Sequence, residues 1–180
     1  MNDEITHRLF KKLTPQNWRQ RDRTVDPFGR MNPDGSFSEV SDDEWAAEIL
    51  EAKLDVTVPE DVRNLFEVAQ GVFCYGCYFY PLYTLGLEQL FRVMEAAVSH
   101  KCMSLGAPKQ DSKFSEKLEW LGENDHLSKQ EYIRWSATRE LRNIVSHAKE
   151  QSLALPTEAI GEMQLMAERI NSLFRNIETK

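Results

Sequence analysis

Three observations predict an all-α fold, a bundle of four main helices joined by short ones. Apolar residues recur at three- and four-residue steps through several long windows. Helix-start signals stand just ahead of those windows. Strand alternation is weak throughout, and no internal repeat or low-complexity tract is present. With 180 residues, 41% hydrophobic and 28% charged, the chain has the composition of a globular protein with one real core plus appendages.

Residues 1–13 are expected to form a short helix. Residues 14–40 are rich in Pro, Gly, Asp and Asn, and Asp26-Pro27, Asn32-Pro33 and Asp34-Gly35 are turn signals, so 1–40 reads as an N-terminal arm or loop. The helical domain then covers 41–180. Ser41-Asp42-Asp43-Glu44 is a capping box opening a helix to about Leu54, with Trp45, Ile49 and Leu50 on its apolar side. Thr57-Val58-Pro59-Glu60 starts the next helix, along which Val62, Leu65, Phe66, Ala69, Val72 and Phe73 keep helical spacing. Pro81 ends or kinks it. A second long helix runs through Leu85, Leu90, Val93, Met94 and Ala97 to about Cys102. After a loop around Gly106-Ala107-Pro108 comes a short helix, Phe114 to Leu121. Ser128-Lys129-Gln130-Glu131 is another capping box, opening a helix to about Gln151, and Pro156-Thr157 begins the last one.

Charge and composition narrow the function classes. The net charge is −7, which argues against broad coating of nucleic acid. Residues 1–30 carry seven Lys/Arg against four Asp/Glu, a net +3, so the remainder carries −10. A basic arm on an acidic body can touch phosphates or be a solvated tail. The start, Met1-Asn2-Asp3-Glu4, lacks the basic residues and apolar run of an export signal. Three cysteines imply no disulfide framework, and a cytoplasmic location is expected. Twenty uncharged residues separate Glu67 from Glu88. Gly71, Gly76, Pro81 and Gly86 interrupt that stretch and Tyr75, Tyr78, Tyr80 and Tyr83 fill it, so it reads as a buried helix–turn–helix rather than a membrane span. Cys74 and Cys77, with His100 and Cys102 beyond, have the residue types of a zinc site. On an antiparallel hairpin, however, the two sets lie at opposite ends, and buried thiols are the expectation. No metal and no cofactor are expected.

Chemistry concentrates in Leu141-Arg142-Asn143-Ile144-Val145-Ser146-His147. On a regular helix from Ser128, Ile133, Ala137, Leu141, Ile144, Val145 and Ala148 share one face, the expected core side. Arg139, Arg142, Asn143 and Ser146 share the other, with His147 at its border. A neutral imidazole can take a proton from a ribose 2′-OH near neutral pH. A guanidinium can hold charge developing on phosphate oxygens. Asn143 can orient the imidazole or bond a phosphate. Arg142 and His147 are about 7.5 Å apart along the axis, so a site using both would gain from a second copy of the helix. By spacing alone the pattern is weak. With twelve Arg and four His in the chain, about 0.3 such pairs arise by chance, and by spacing alone a surface arginine with a histidine capping a helix end is the favoured account.

Arg142-Asn143-x-x-x-His147 resembles the signature of the HEPN superfamily: Arg, a polar residue, then His after four to six intervening positions. The context is similar too. A long helix pair with Leu87-Glu88-Gln89-Leu90-Phe91-Arg92 and Glu95-Ala96-Ala97 comes first. A short helix with Lys117-Leu118 and Trp120-Leu121 follows, and then the long helix bearing the motif. The resemblance covers about residues 58–175 and is to stand-alone bacterial members. It implies a HEPN-like helical bundle that forms a homodimer, with the two motif helices meeting in one composite cleft. It also implies metal-independent endoribonuclease activity on an RNA substrate, in a toxin–antitoxin, phage-defence or RNA-processing setting with an antitoxin or defence partner. By that resemblance Arg142 and His147 are catalytic and Asn143 supports them. Arg139 and Ser146, on the same helix face, are candidates to line the cleft; Arg92 and Glu95 of the preceding helix either border it too or pair with each other and Glu88 at the surface. Lys149 stands where nucleotidylated toxin members carry Tyr, which puts that mode of regulation in doubt. The alternative is a non-catalytic HEPN-like module that binds RNA, nucleotide or a protein partner; a third reading is a structural dimerisation protein.

Two further patterns remain open. Phe73, Tyr75, Tyr78, Phe79, Tyr80 and Tyr83 can be core, a subunit interface or a base-stacking stripe. Trp18-Arg19-Gln20-Arg21-Asp22-Arg23 interleaves cations with an aromatic and can contact RNA, or belong to a flexible arm.

Overall fold

The structure, a computed structural model, describes residues 10–108, 113–146 and 153–175, with the backbone alone described for 139–146. It is mostly helical: α1 (Asp42–Glu51), α2 (Glu60–Cys74), α3 (Leu82–Ser104), α4 (Phe114–Glu123), α5 (Lys129–Ser146) and α6 (Pro156–Phe174). The one sheet among the described residues is an antiparallel hairpin, β1 (Gly29–Met31) with β2 (Phe37–Glu39), in register Gly29 to Glu39 and Met31 to Phe37.

The start signals work as the residue chemistry dictates. At α1 the Ser41 hydroxyl accepts from the Glu44 N–H at 3.2 Å, while the Glu44 carboxylate accepts from the Ser41 N–H at 2.8 Å. At α5 the Glu131 N–H donates to the Ser128 hydroxyl at 3.2 Å and the Ser128 N–H to Glu131 at 2.9 Å. Each pair satisfies two amides that a helix start leaves without partners. Pro156 sits at the opening of α6, where its missing N–H costs nothing. The helix expected across Phe73 and beyond ends at Cys74, passes through a 3-10 turn at Tyr75–Cys77, and restarts directly after Pro81.

That junction makes α2 and α3 an antiparallel hairpin, with α6 and α4 laid against α3. Two glycines let the hairpin close. A Cβ on Gly86 would lie 2.6 Å from the Phe73 ring, and one on Gly76 would lie 2.6 Å from Tyr83. Phe73, Tyr83, Val93, Met94, Ala97 and Val98 are essentially inaccessible to water, as are Met163 and Ile170 from α6. Among the described residues no helix is long and apolar enough to cross a membrane.

Buried polar groups stitch the connections to this core. The Gln70 amide donates to the Ile49 and Ala52 carbonyls at 2.9 and 2.8 Å, capping the end of α1. Asn171 accepts from the Asp55 N–H at 2.7 Å and donates to the Lys53 carbonyl at 2.9 Å. The Ala154 N–H donates to the Thr84 hydroxyl at 3.0 Å, fixing the entry to α6.

The segment read as an arm holds most of the departures from expectation. The turn signals at 32–35 are real: Gly35, at φ +82°, closes the hairpin between β1 and β2. The strands themselves were not visible in the sequence, being three residues each and mostly exposed. Val25 and Val40 join the core. Asp22 is 1% exposed. Its carboxylate accepts from the Tyr80 N–H at 3.0 Å, the Thr24 N–H at 3.2 Å, the Thr24 hydroxyl at 2.7 Å and the Lys11 N–H at 3.3 Å. Its own N–H donates to the Cys77 carbonyl at 2.8 Å. Residues 10–40 are therefore bound to the α2–α3 junction. The short helix expected over 1–13 lies mostly outside the described residues.

Burial by itself pushes the Asp22 pKa up, but the hydrogen bonds from Thr24, Tyr80 and Lys11 outweigh it and hold it below 3.8. A carboxylate whose folded pKa is depressed stabilises the fold fully above its unfolded pKa, and loses that contribution as the pH falls through the folded value. Asp22→Ala should cost about 2–4 kcal/mol in urea unfolding at neutral pH, because it strands several buried donors. Wild type should lose stability below pH 3.8 more steeply than Asp22→Asn; parallel acid limbs in the two proteins would refute this role.

Candidate functional site

The motif lies at the C-terminal end of α5. Arg139, Arg142, Asn143 and Ser146 are on its described backbone, and their side chains lie outside the described residues, as does all of His147. Arg92 is exposed and Glu95 half-buried on α3, which packs against both α5 and α6. The bundle thus brings the helix of Arg92 and Glu95 alongside the motif helix.

The rotation of α5 differs from the expectation. Trp135 is 2% exposed and Thr138 is buried. Ile133 is 57% exposed and Ala137 is also at the surface. The apolar stripe beginning at Ile133 and Ala137, expected to face the core, starts instead at the surface. The physical reason is Trp135, whose ring carries more apolar area than any neighbour and takes the inward direction. At 100° per residue, position 142 falls about 40° from Thr138, one turn on, and position 143 about 80° from Trp135. Positions 139, 142 and 146 therefore continue the Trp135 side of the helix, and position 144 continues the outward Ile133 stripe.

Two polar contacts hold α5 against α6. Arg169 donates from Nη1 to the Thr138 hydroxyl at 2.7 Å. Ser172 donates to Glu131 at 3.5 Å. An open cleft of about 480 Å³ between the helices is lined by Glu131, Arg134, Trp135, Glu168 and Arg169, among others. Hydrogen bonds from the Ser128 hydroxyl, outweighing burial, hold the Glu131 carboxyl below its usual range, so it is anionic at neutral pH. Sequence reasoning missed Arg169. Its only signal was an arginine among apolar residues of the last helix, three and four residues from Met166 and Leu173. It places a guanidinium beside Thr138, whose Cα lies about 6 Å along the axis from position 142.

The cysteines sit as buried thiols. Cys77 and Cys102 are inside, Cys74 is half-buried, and all three are free. Cys77 donates to the Cys74 carbonyl at 3.4 Å and Cys102 to the Lys117 carbonyl at 3.7 Å. Burial pushes all three thiols up, so they are protonated and weakly nucleophilic at neutral pH. Among the described residues no group of three or more His, Cys, Asp or Glu is arranged to hold a metal. The aromatic run divides: Phe73, Tyr80 and Tyr83 are core, whereas Tyr75 is 64% exposed and Tyr78 and Phe79 are half-buried.

No family model, no curated protein and no solved structure matches this chain. The functional reading rests on its own residues.

The rotation of α5 can be checked directly. Trp135→Ala should cost about 3–5 kcal/mol in denaturant unfolding, as for a large buried aromatic. Ile133→Glu should change monomer stability by no more than about 0.5 kcal/mol. Equal losses from both would mean that α5 is turned the other way.

Proposed function

We propose that this chain is a HEPN-like, metal-independent endoribonuclease whose site is completed by a second copy. The observation that carries the reading is the placement of Arg142-Asn143-Ile144-Val145-Ser146, the residues directly before His147 in the sequence, at the end of a long helix, after a long helix pair and a short helix. That order supports the resemblance. The outward Ile133 and Ala137 give a second copy an apolar strip to bury on the motif helix, which supports a dimer, although position 142 lies about 180° round that helix from Ile133 and so is not on the strip itself.

In this reading neutral His147 accepts the proton of the ribose 2′-OH. The 2′ oxygen attacks phosphorus, the bond from phosphorus to O5′ breaks, and the departing O5′ takes up a proton. The products are a 2′,3′-cyclic phosphate and a 5′-hydroxyl end. Arg142 holds the charge that grows on the non-bridging oxygens. Asn143 orients the imidazole or the phosphate. Arg139, Ser146, Arg92 and Glu95 border the cleft. Because a regular helix carried on to position 147 would set it about 7.5 Å along the axis from position 142, Arg142 and His147 would each act with the counterpart from the partner copy. A toxin or phage-defence role with an antitoxin or defence partner belongs to the same proposal.

A second reading has an observation behind it. Position 142 continues the side of α5 that buries Thr138 and Trp135, and the chain carries −7 overall, a poor field for a free ribonuclease. Both favour a non-catalytic module that binds RNA, nucleotide or a protein partner.

Cleavage of mixed cellular RNA in EDTA separates the two. Wild type should give fragments with 2′,3′-cyclic phosphate ends, while His147→Ala and Arg142→Ala should each lose at least about 100-fold in rate. Equal cleavage by folded mutants would remove those residues from the mechanism, and no cleavage by any protein would leave the binding module. Light scattering should find a dimer that Ile133→Glu converts to monomer, with loss of cleavage; a wild-type monomer would end the composite-site model. Growth inhibition on expression, relieved by His147→Ala, is the outcome expected of a toxin.

A further inference from the structure

Two patterns far apart in sequence meet on one surface. The basic-aromatic stretch at 13–19 lies against the α2–α3 junction, enclosing an open groove of about 670 Å³ lined by Leu13, Trp18, Arg19, Tyr75, Tyr78 and Phe79 among others. Three of its rings are offered to solvent to different degrees. Trp18 is 54% and Tyr75 64% exposed, and Tyr78 is half-buried. The Arg19 guanidinium lies 4.5 Å from the centre of the Trp18 ring. The Tyr75 and Tyr78 rings stand 6.3 Å apart, tilted by 40°. Phe79 is braced from behind by Phe10, edge-on at 5.7 Å.

Exposed rings of this size cost solubility and are not needed by the core, which takes Phe73, Tyr80 and Tyr83 from the same run. The local charge says what they face. Residues 10–21 contain four Lys/Arg and no acid, and residues 68–87 contain no charge at all. Arg21 is turned away to Asp26 and Asp42 and the Lys11 ammonium donates to the Asn17 and Gln20 carbonyls, so Arg19, the one charged residue among the described residues lining the groove, sets its sign. A positive, aromatic surface on a protein of net charge −7 is complementary to a ligand that is anionic and presents flat π-faces.

We propose that this groove is a stacking subsite for the unpaired bases of a single-stranded nucleic acid. Bases lie on Trp18, Tyr75 and Tyr78, because every base has a π-face and stacking needs no sequence match. Arg19 meets the phosphates. The aromatic rings carry the affinity, and the small number of cations makes its salt dependence shallow. This goes beyond the cleavage reading and does not rest on it, since none of these residues belongs to the motif on α5.

The test is fluorescence anisotropy of the full chain with a labelled oligodeoxythymidylate of about ten nucleotides, within the span of one such platform, and with its ribonucleotide counterpart. DNA lacks the 2′-OH nucleophile, so its binding is read without cleavage and stands or falls apart from the ribonuclease reading. Trp18→Ala and Tyr75→Ala should each weaken binding about 5- to 100-fold. Arg19→Glu, which keeps the rings, should weaken it most at low salt. In wild type the oligonucleotide should quench the emission of Trp18, which is exposed where Trp45 and Trp135 are buried. Binding confined to the RNA strand, with the same dependence on Trp18, would also support the subsite and add a contact to the 2′-OH. Unchanged affinity in both folded ring variants, or no binding of either strand, would overturn it, as would capture of a proline-rich peptide by the same rings in place of both strands.

Discussion

A single buried carboxylate decides how this molecule is put together. Asp22 gathers donors from Tyr80, Thr24 and Lys11, and so joins the described N-terminal segment, from residue 10, to the turn between the two central helices. Burial of a charge is unfavourable unless its lone pairs are filled. Here they are filled by the Thr24 amide and hydroxyl and the Lys11 amide of its own segment, and by the Tyr80 amide just before α3. Both sides gain, since the carboxylate replaces its lost water and the Tyr80 amide is satisfied. With that junction formed, Val25 and Val40 are carried onto the core, and Arg21 reaches Asp26 and Asp42.

The same economy recurs elsewhere. Gln70, Asn171 and Thr84 are buried or nearly so, and each bonds to backbone groups at a helix end or connection. The apolar contacts of α2, α3 and α6 supply most of the burial, while these three side chains specify where each connection lies. Gly76 and Gly86 have the complementary task. They carry nothing, so that the Tyr83 and Phe73 rings can occupy the space between the helices.

Much of the bundle was legible because its signals are local. The capping boxes at Ser41 and Ser128, Pro156 and the spacing from Val62 to Phe73 all report on one turn of helix at a time. What failed was non-local. The β-hairpin is too short and too exposed for alternation to register. The docking of residues 10–40 depends on an amide 58 residues away from Asp22, which no periodicity records. The rotation of α5 was misjudged because a helical wheel counts apolar positions without knowing which are covered by the same chain. Ile133 and Ala137 outnumber Trp135, but Trp135 brings the larger area and the deeper contact. The site residues Arg142, Asn143 and His147 were legible as chemistry, and α5 carries the first two on its described backbone. Arg169 was not legible, since its relation to Thr138 exists only once α5 and α6 are side by side.

The junction at Asp22 has a thermodynamic consequence for the aromatic groove. One wall belongs to residues 13–19 and the other to 75–82, so the groove exists only while the first segment is docked. Undocking disturbs few of the core contacts among α2, α3 and α6, and is therefore a sub-global opening, cheaper than unfolding the whole bundle. Any molecule that touches both walls binds the closed form alone. It draws that local equilibrium toward closure by an amount set by its concentration relative to its dissociation constant. Occupancy of the groove, amide exchange across residues 10–40 and proton uptake at Asp22 are then three readings of one equilibrium.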